Sequence, residues 1–328
     1  MVLYKGAKNE SSKMSQPSPK VSIIIAVFNA ESTLYRSLES VRQQSFDDYE
    51  VVIVDDGSQD SSWDILSQYK DKDKRFKVFK QENKGVSKTR QFALDNSSGE
   101  YTIHLDADDW MEPDLLSKMV ARADETGADM VLCGFILHTE YGQENDLQRP
   151  SSLESDKLLG ELLSGTLHGS LCNKLIRRSV YVTNKIGYPV GIDCGEDLLA
   201  CLSMLSKNIK VEYEPSALYH YDKTRNDSSV TNKWYDYPVK KRVELIQMIE
   251  PIVSFANKRI FNTYVGRIAY DALFCTRAYC PNYRSLFGHY SANIRNSDLP
   301  FLKYVFIFLR LHNVRLPLRQ FRRFIRSH

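Results

Sequence analysis

The chain reads as an α/β protein: a mostly parallel sheet with helices on both faces, followed by a mainly helical C-terminal extension. Three observations predict this. The run VSIIIAV (Val21 to Val27) is continuously apolar, as a strand buried on both faces has to be. Short apolar runs then alternate with amphipathic stretches as far as about residue 135, the β-α rhythm of a doubly wound sheet. From about Ser151 the alternation stops, and helical segments with mixed loops take over.

Each element has its own signal. A helix entered through Ser32 places Leu34, Leu38 and Val41 on one face. A second strand runs from Glu50 to Val54, a helix lies around Ser61 to Tyr69, and a third strand falls near Phe76 to Lys80. A helix from about Val86 to Asp95 precedes the strand Tyr101 to Leu105. Another helix starts at Pro113, and a further strand covers Met130 to Phe135. Long helices are expected across Val239 to Tyr279, and no internal repeat is visible.

Of the 328 residues, 42% are hydrophobic and 26% charged, enough to bury a sizeable core. The net charge of +3 is unevenly spread, because Leu299 to His328 holds seven Lys/Arg and no Asp or Glu; setting those seven aside leaves about −4 for the rest. The six cysteines (Cys133, Cys172, Cys194, Cys201, Cys275, Cys280) form no CxxC pair and no zinc-like spacing, and are expected as reduced thiols in a cytosolic protein. The first 19 residues are polar and unlike a signal peptide, so a disordered lead-in is expected there. No run of about 20 apolar residues is present to span a membrane.

In an open α/β sheet, ligands bind at the carboxyl ends of the strands. Two acidic clusters fall at that place: Asp55-Asp56-Gly57-Ser58 after the second strand, and Asp106-Ala107-Asp108-Asp109 after the strand Tyr101 to Leu105. Either cluster alone reads equally well as a simple turn. Together they gather carboxylates that repel unless a cation or a donor-rich ligand joins them. An Asp-x-Asp pair suits a hard divalent ion that keeps water and phosphate oxygens as its other ligands.

These residues stand in an order that resembles the family 2 glycosyltransferases of the GT-A fold, of the bacterial polysaccharide-biosynthesis type. The matching stretches are VSIIIAVFNAE (Val21 to Glu31), VVIVDDGSQD (Val51 to Asp60), NKGVSKTRQ (Asn83 to Gln91), HLDADDW (His104 to Trp110), NKLIR (Asn173 to Arg177) and GED (Gly195 to Asp197). A weaker echo, LYHYDKTRNDSSVT, covers Leu218 to Thr231. The resemblance implies a catalytic domain over residues 20–232, its nucleotide-binding half at about 20–135 and its acceptor half at about 136–232, with a helical region over 233–328. It further implies that Val27, Asn29, Glu31 and Asp55 line the nucleotide pocket. Asp106, with Ala107 beside it, and Asp108 form the metal motif for Mn²⁺ or Mg²⁺, and Asp197 is the base. The implied reaction is an inverting transfer of a sugar from a nucleotide-diphosphate donor, a UDP-hexose or UDP-N-acetylhexosamine, to a lipid-linked or polysaccharide hydroxyl.

The chemistry of the residues agrees with those roles. A carboxylate at Asp55 can accept from a uracil N–H or a ribose hydroxyl. Gly85 and Arg90 belong to the start of the next helix, whose amides and guanidinium favour an anionic or planar polar ligand; an ordinary ion pair is the plain alternative for Arg90. Glu196 and Asp197 open an apparent helix, where acidic residues also serve as caps, and Glu196 is the second choice of base. His220 reads as a further metal ligand or as a packed histidine, and Lys174 as a diphosphate contact or a solvated charge. Asp109 is a possible sugar contact, and Trp110 is equally well a packing residue.

The tail LPFLKYVFIFLRL (Leu299 to Leu311), with the Arg-rich stretch after it, sets basic charge beside an apolar face. That pattern favours peripheral attachment to an anionic membrane at the cytoplasmic face, against the alternative of a helix packed on the protein. No nucleic-acid module is recognisable. A sugar-nucleotide nucleotidyltransferase would carry a Gly-rich loop where Phe28-Asn29-Ala30 stands, and a dinucleotide oxidoreductase would carry GxGxxG there. A non-catalytic sugar-nucleotide-binding or membrane scaffold would have no need of a base at Asp197.

Overall fold

A computed structural model describes residues 18–224, 237–274 and 282–312. Residues 1–17, most of the lead-in, lie outside it, as do residues 225–231 of the weaker echo, Cys275, Cys280 and the Arg-rich residues 313–328. The chain divides into two compact units: Met1–Arg149, Ser170–Val190 and Lys207–Thr224 form the first, while Pro150–Gly169, Gly191–Ser206 and Arg225–His328 form the second. The partition is not a single cut near residue 232, because the chain passes between the units several times.

The first unit holds a nine-stranded sheet. Its strands are β1 (Val21–Val27), β2 (Tyr49–Asp55), β3 (Phe76–Lys80), β4 (Tyr101–His104), β5 (Trp110–Met111), β6 (Met130–Thr139), β7 (Gly142–Asp146), β8 (Lys174–Arg177) and β9 (Val211–Asp222). The order is β3-β2-β1-β4-β8-β6-β9-β5, with β7 on β6. As expected, β3, β2, β1 and β4 are mutually parallel. Beyond β4 the sheet is mixed: β8 runs antiparallel to β4 and β6, β9 parallel to β6, and β5 antiparallel to β9. The NKLIR stretch thus supplies a strand that closes the parallel half against the rest.

Helices α1 (Leu34–Arg42), α2 (Ser62–Lys72), α3 (Val86–Asp95), α4 (Leu115–Thr126) and α6 (Arg178–Asn184) belong to this unit; α5 (Ser155–Ser164) does not. The strand interiors are fully buried: Ile23, Ile25, Val51, Ile53 and Ile103 are 0% exposed and pack against Leu34, Leu38, Val41 and Leu66 of α1 and α2. Such complete two-sided burial is why those strands read as unbroken apolar runs. Gly127, in the left-handed region at φ 69°, ends α4.

In the second unit, α5 is joined by α7 (Glu196–Leu205), α8 (Val239–Ile249), α9 (Lys258–Phe274), α10 (Tyr283–Phe287), α11 (Ser291–Arg295) and α12 (Phe301–Leu311). Leu158, Leu162, Leu202, Ile246, Ile249, Phe261 and Ile268 are buried in it. The helix α12 buries Ile307 and Arg310 and leaves Phe301 (76%) and Leu302 (70%) exposed. No helix among the described residues is long and apolar enough to cross a membrane.

Candidate functional site

The loops after β1 and β2 lace together. Asn29 adopts a left-handed conformation (φ 50°), and the N–H groups of Asn29, Ala30 and Glu31 donate to Ser58 Oγ, Ser62 Oγ and Asp60 Oδ2 at 2.9–3.0 Å. In return, Asn29 Oδ1 accepts from the Gln59 N–H and Glu31 Oε2 from the Ser61 N–H, at 2.8 and 2.9 Å. Asn29 and Glu31, two of the residues predicted to line the nucleotide pocket, therefore brace the two loops against each other. Val27 contributes its carbonyl, which accepts from the Asp56 N–H at 2.8 Å, while its side chain is in the core.

Asp55 closes β2 with a side chain that is 0% exposed. Its Oδ1 accepts from the Ser58 N–H at 3.1 Å; its Oδ2 is buried with no hydrogen-bond partner, and the nearest cation is Lys80 Nζ at 3.8 Å. A buried carboxylate oxygen left open in this way is a ready acceptor for a ligand N–H or O–H. Asp56 points elsewhere: it accepts from Gln81 Nε2 and from the N–H groups of Lys84 and Gly85, so it shapes the entry to α3. Gly57 (φ 78°) lies where a Cβ would stand 2.8 Å from the Asn83 nitrogen, so only glycine lets the two loops approach. Gly85, also left-handed at φ 85°, caps α3.

The second acidic cluster is a turn closed by Asp109 N–H donating to Asp106 O at 3.0 Å. Its three carboxylates have different surroundings. Asp106 Oδ1 accepts from Arg90 Nη2 at 2.8 Å, and the guanidinium is buried. Asp108 is half-buried, and its carboxyl is pushed up to about 6 by burial and by the charges of Asp106 and Asp222. Asp109 is buried, with Oδ1 accepting from the Asp222 N–H at 2.9 Å and Oδ2 from the Tyr219 hydroxyl at 3.0 Å. Burial, then the charges of Asp106 and Asp108, hold its carboxyl well above the usual carboxylate range. Both its oxygens are engaged within the fold. Ala107 between them is buried.

Two further residues find their partners within the protein. His220 Nε2 lies 2.7 Å from Glu112 Oε1, and its Nδ1 lies 2.9 Å from His138 Nε2. Both ring nitrogens are thus engaged within the protein, the packed reading of this histidine, and burial holds its pKa below the usual value. The ring also stacks on Trp110 at 4.7 Å and 12°, which makes Trp110 a packing residue. Lys174 is buried rather than solvated, and its ammonium donates to Ser170 O at 2.6 Å and Asn173 Oδ1 at 2.7 Å, within the protein rather than toward a diphosphate.

A cation fits what remains. Asp106 and Asp108 present two carboxylates, and the strained charge on Asp108 is one that a cation relieves. No group of three or more ligating side chains occurs among the described residues, so such an ion would take its other ligands from water and phosphate. Glu196 and Asp197 lie in the second unit, where they open α7 after Gly195 (φ 86°), as the motif predicts. Glu196 is buried and Asp197 half-buried. The nearby Cys194 thiol is pushed up to about 12 by burial and by the charge of Glu196.

Several participants were absent from the sequence reading: Arg36, Glu112, His138, Tyr219 and Asp222. Arg36 Nη2 donates to Asp108 O at 2.6 Å and to Asp222 Oδ2 at 2.8 Å, and its guanidinium lies 3.7 Å over the Trp110 ring. It also forms a wall of an open cavity of about 500 Å³, with Tyr35, Glu39, Glu112 and His220. The only sequence signal touching them was the LYHYD stretch, which holds Tyr219 and Asp222 but gives no sign of their partners.

Comparison with known proteins agrees with this fold and motif set. Residues 22–183 match the model of "Glycosyl transferase family 2". TuaG of Bacillus subtilis, named for teichuronic acid biosynthesis, is 32% identical over 224 residues, covering 67% of this chain and 85% of TuaG. EpsH of the same organism is 34% identical over 211 residues, 62% of this chain and 61% of EpsH. The chain thus spans about 60% of the length of the first curated relatives it matches. Among solved structures, S. aureus TarS 1-349 in complex with UDP-GlcNAc superposes with a TM-score of 0.68 at 21% identity, over 84% of this chain and 81% of that one. The chain belongs to glycosyl transferase family 2 and has the GT-A fold.

Proposed function

We propose that this chain is an inverting glycosyltransferase that moves a hexose or N-acetylhexosamine from a UDP donor to a hydroxyl of a lipid-linked or polysaccharide acceptor. The observation that carries the reading is the buried Asp55 carboxylate with one open oxygen at the end of β2, in a sheet whose β4 leads into the Asp106/Asp108 pair. Asp55 Oδ2 is suited to accept from the uracil N–H or a ribose hydroxyl. Asp106 and Asp108 would hold Mn²⁺ or Mg²⁺, which when bound supplies neutralising charge for the departing nucleoside diphosphate. Arg90 keeps Asp106 in place through its 2.8 Å bond. Asp197 takes the proton from the acceptor hydroxyl as its oxygen attacks the anomeric carbon, and Glu196 supports the same loop.

The acceptor class is supported by the biosynthetic name of TuaG, and the donor class by the UDP-GlcNAc bound to TarS. Peripheral attachment at the cytoplasmic face of the membrane is supported by α12, which exposes Phe301, Leu302 and Phe308 beside Lys303, with five further arginines from Arg315 to Arg326 in the sequence after it. The test is a panel of sugar nucleotides incubated with the protein and Mn²⁺, following nucleotide release, with proton NMR of the product from an α-linked donor. A β linkage is expected, together with loss of at least about 10²-fold in transfer for Asp197→Asn at unchanged donor binding. A retained α linkage, or no release from any sugar nucleotide, sinks the proposal.

A further inference from the structure

We propose that Arg36 is a positioning residue for the metal-binding turn, which fixes where the Asp108 carboxylate stands without occupying it. The inference rests on the reading of Asp106 and Asp108 as the metal pair. Its basis is a brace between α1, the turn after β4 and the end of β9. A single nitrogen, Arg36 Nη2, donates to the main-chain carbonyl of Asp108 at 2.6 Å and to Asp222 Oδ2 at 2.8 Å. Both hydrogens of that nitrogen lie in the guanidinium plane, so the two acceptor oxygens are held at a set separation. The plane itself is seated on Trp110 at 3.7 Å, and Trp110 is in turn packed against His220 and His138.

The rest of the turn is tied down by other side chains. Tyr219 OH accepts from the Asp106 N–H at 3.1 Å and donates to Asp109, while the Asp222 N–H takes the other Asp109 oxygen. Asp222 is itself oriented by Thr224, whose N–H and hydroxyl donate to Oδ1 at 3.0 and 2.5 Å. Asp106 and Asp109 are therefore held through their own side chains, whereas Asp108 is held by its carbonyl, which leaves its carboxylate available. Arg36 accepts a cost in this pose, since its Nε is buried and finds no acceptor among the described residues. Arg36 also screens the Asp222 charge, which otherwise adds to the repulsion among the carboxylates of the turn.

The test measures Mn²⁺ binding to the full-length protein in the presence of UDP, from the free Mn²⁺ signal in electron paramagnetic resonance. Arg36→Gln should weaken Mn²⁺ binding by about 10- to 100-fold, the usual effect of removing a group that orients a metal ligand. UDP affinity in EDTA, read by calorimetry, should stay within about twofold, which a general collapse of the site would not allow. Arg36→Lys keeps the charge but lacks the planar fork, and should show a loss of at least about fivefold. Should Arg36→Gln not fold, Arg36→Lys decides the matter. Unchanged Mn²⁺ affinity in the folded variants overturns the positioning role. Wild-type protein that takes up no Mn²⁺ with UDP overturns the metal reading beneath it, and the two failures are distinct.

Discussion

Asp108 offers a sharp test, because its surroundings disfavour its charge. Burial and the neighbouring Asp106 and Asp222 raise its carboxyl from the usual 3.8 to about 6. That rise corresponds to a ceiling of about 3 kcal/mol of stability lost when the group is ionised in the folded state. Water reaching the half-buried carboxylate reduces this to about 1–2 kcal/mol. Asp108→Asn keeps the shape and removes the charge, so it should make the metal-free protein more stable, not less. The expected rise in melting temperature is about 2–8 °C at pH 7.5 in EDTA.

The sign with pH follows from the direction of the shift. A carboxyl raised in the folded state binds its proton more readily there than in the unfolded chain. The penalty is therefore complete above about pH 6 and disappears as pH falls toward 4. The gain from Asp108→Asn should shrink across that window. With UDP and Mn²⁺ at about 100 times Kd, wild-type protein gains about 2.7 kcal/mol and the variant gains far less, so the order reverses. Thermal melts at pH 7.5 and 4.5, with and without UDP and Mn²⁺, measure all of this. A variant less stable than wild type in EDTA at pH 7.5, or a gain independent of pH, refutes the reasoning.

Asp55→Ala should weaken UDP binding in EDTA by about 10- to 100-fold, the value of a charge-assisted hydrogen bond, and unchanged affinity by calorimetry excludes Asp55 from the nucleoside site. Asp109→Ala should destabilise the fold by about 2–3 kcal/mol in denaturant titration, since the Asp222 N–H and the Tyr219 hydroxyl lose their acceptor. A loss below about 0.5 kcal/mol would return Asp109 to the ligand-contacting residues. Replacing exposed Phe301 and Leu302 by Ser should reduce sedimentation with anionic liposomes while sparing nucleotide release, and wild-type binding should weaken with salt. Equal sedimentation of the two proteins removes α12 from the membrane surface.

What the sequence made legible was local. The strands β1 and β2 declared themselves because burial on both faces demands nearly unbroken apolar runs, while β3 (FKVFK), buried on one side only, showed as an alternation. The strand β9 did not, since VEYEPSALYHYD mixes polar residues and a proline, and its register is set by β6, some 80 residues away. Lys174 and His220 were ambiguous because a charged or titratable residue reads alike whether its partner is a ligand or the chain itself, near in sequence for Lys174 and distant for His220. The run Asp106-Ala107-Asp108-Asp109 shows this at its clearest. Nothing in those four letters separates three aspartates. Arg90, 16 residues earlier, takes an oxygen of Asp106, and Tyr219 and Asp222, 110 and 113 residues later, take both oxygens of Asp109. Arg36, 72 residues before it, holds Asp108 by the main chain alone. The free carboxylate is thus defined by subtraction, through contacts that only the folded sheet brings together.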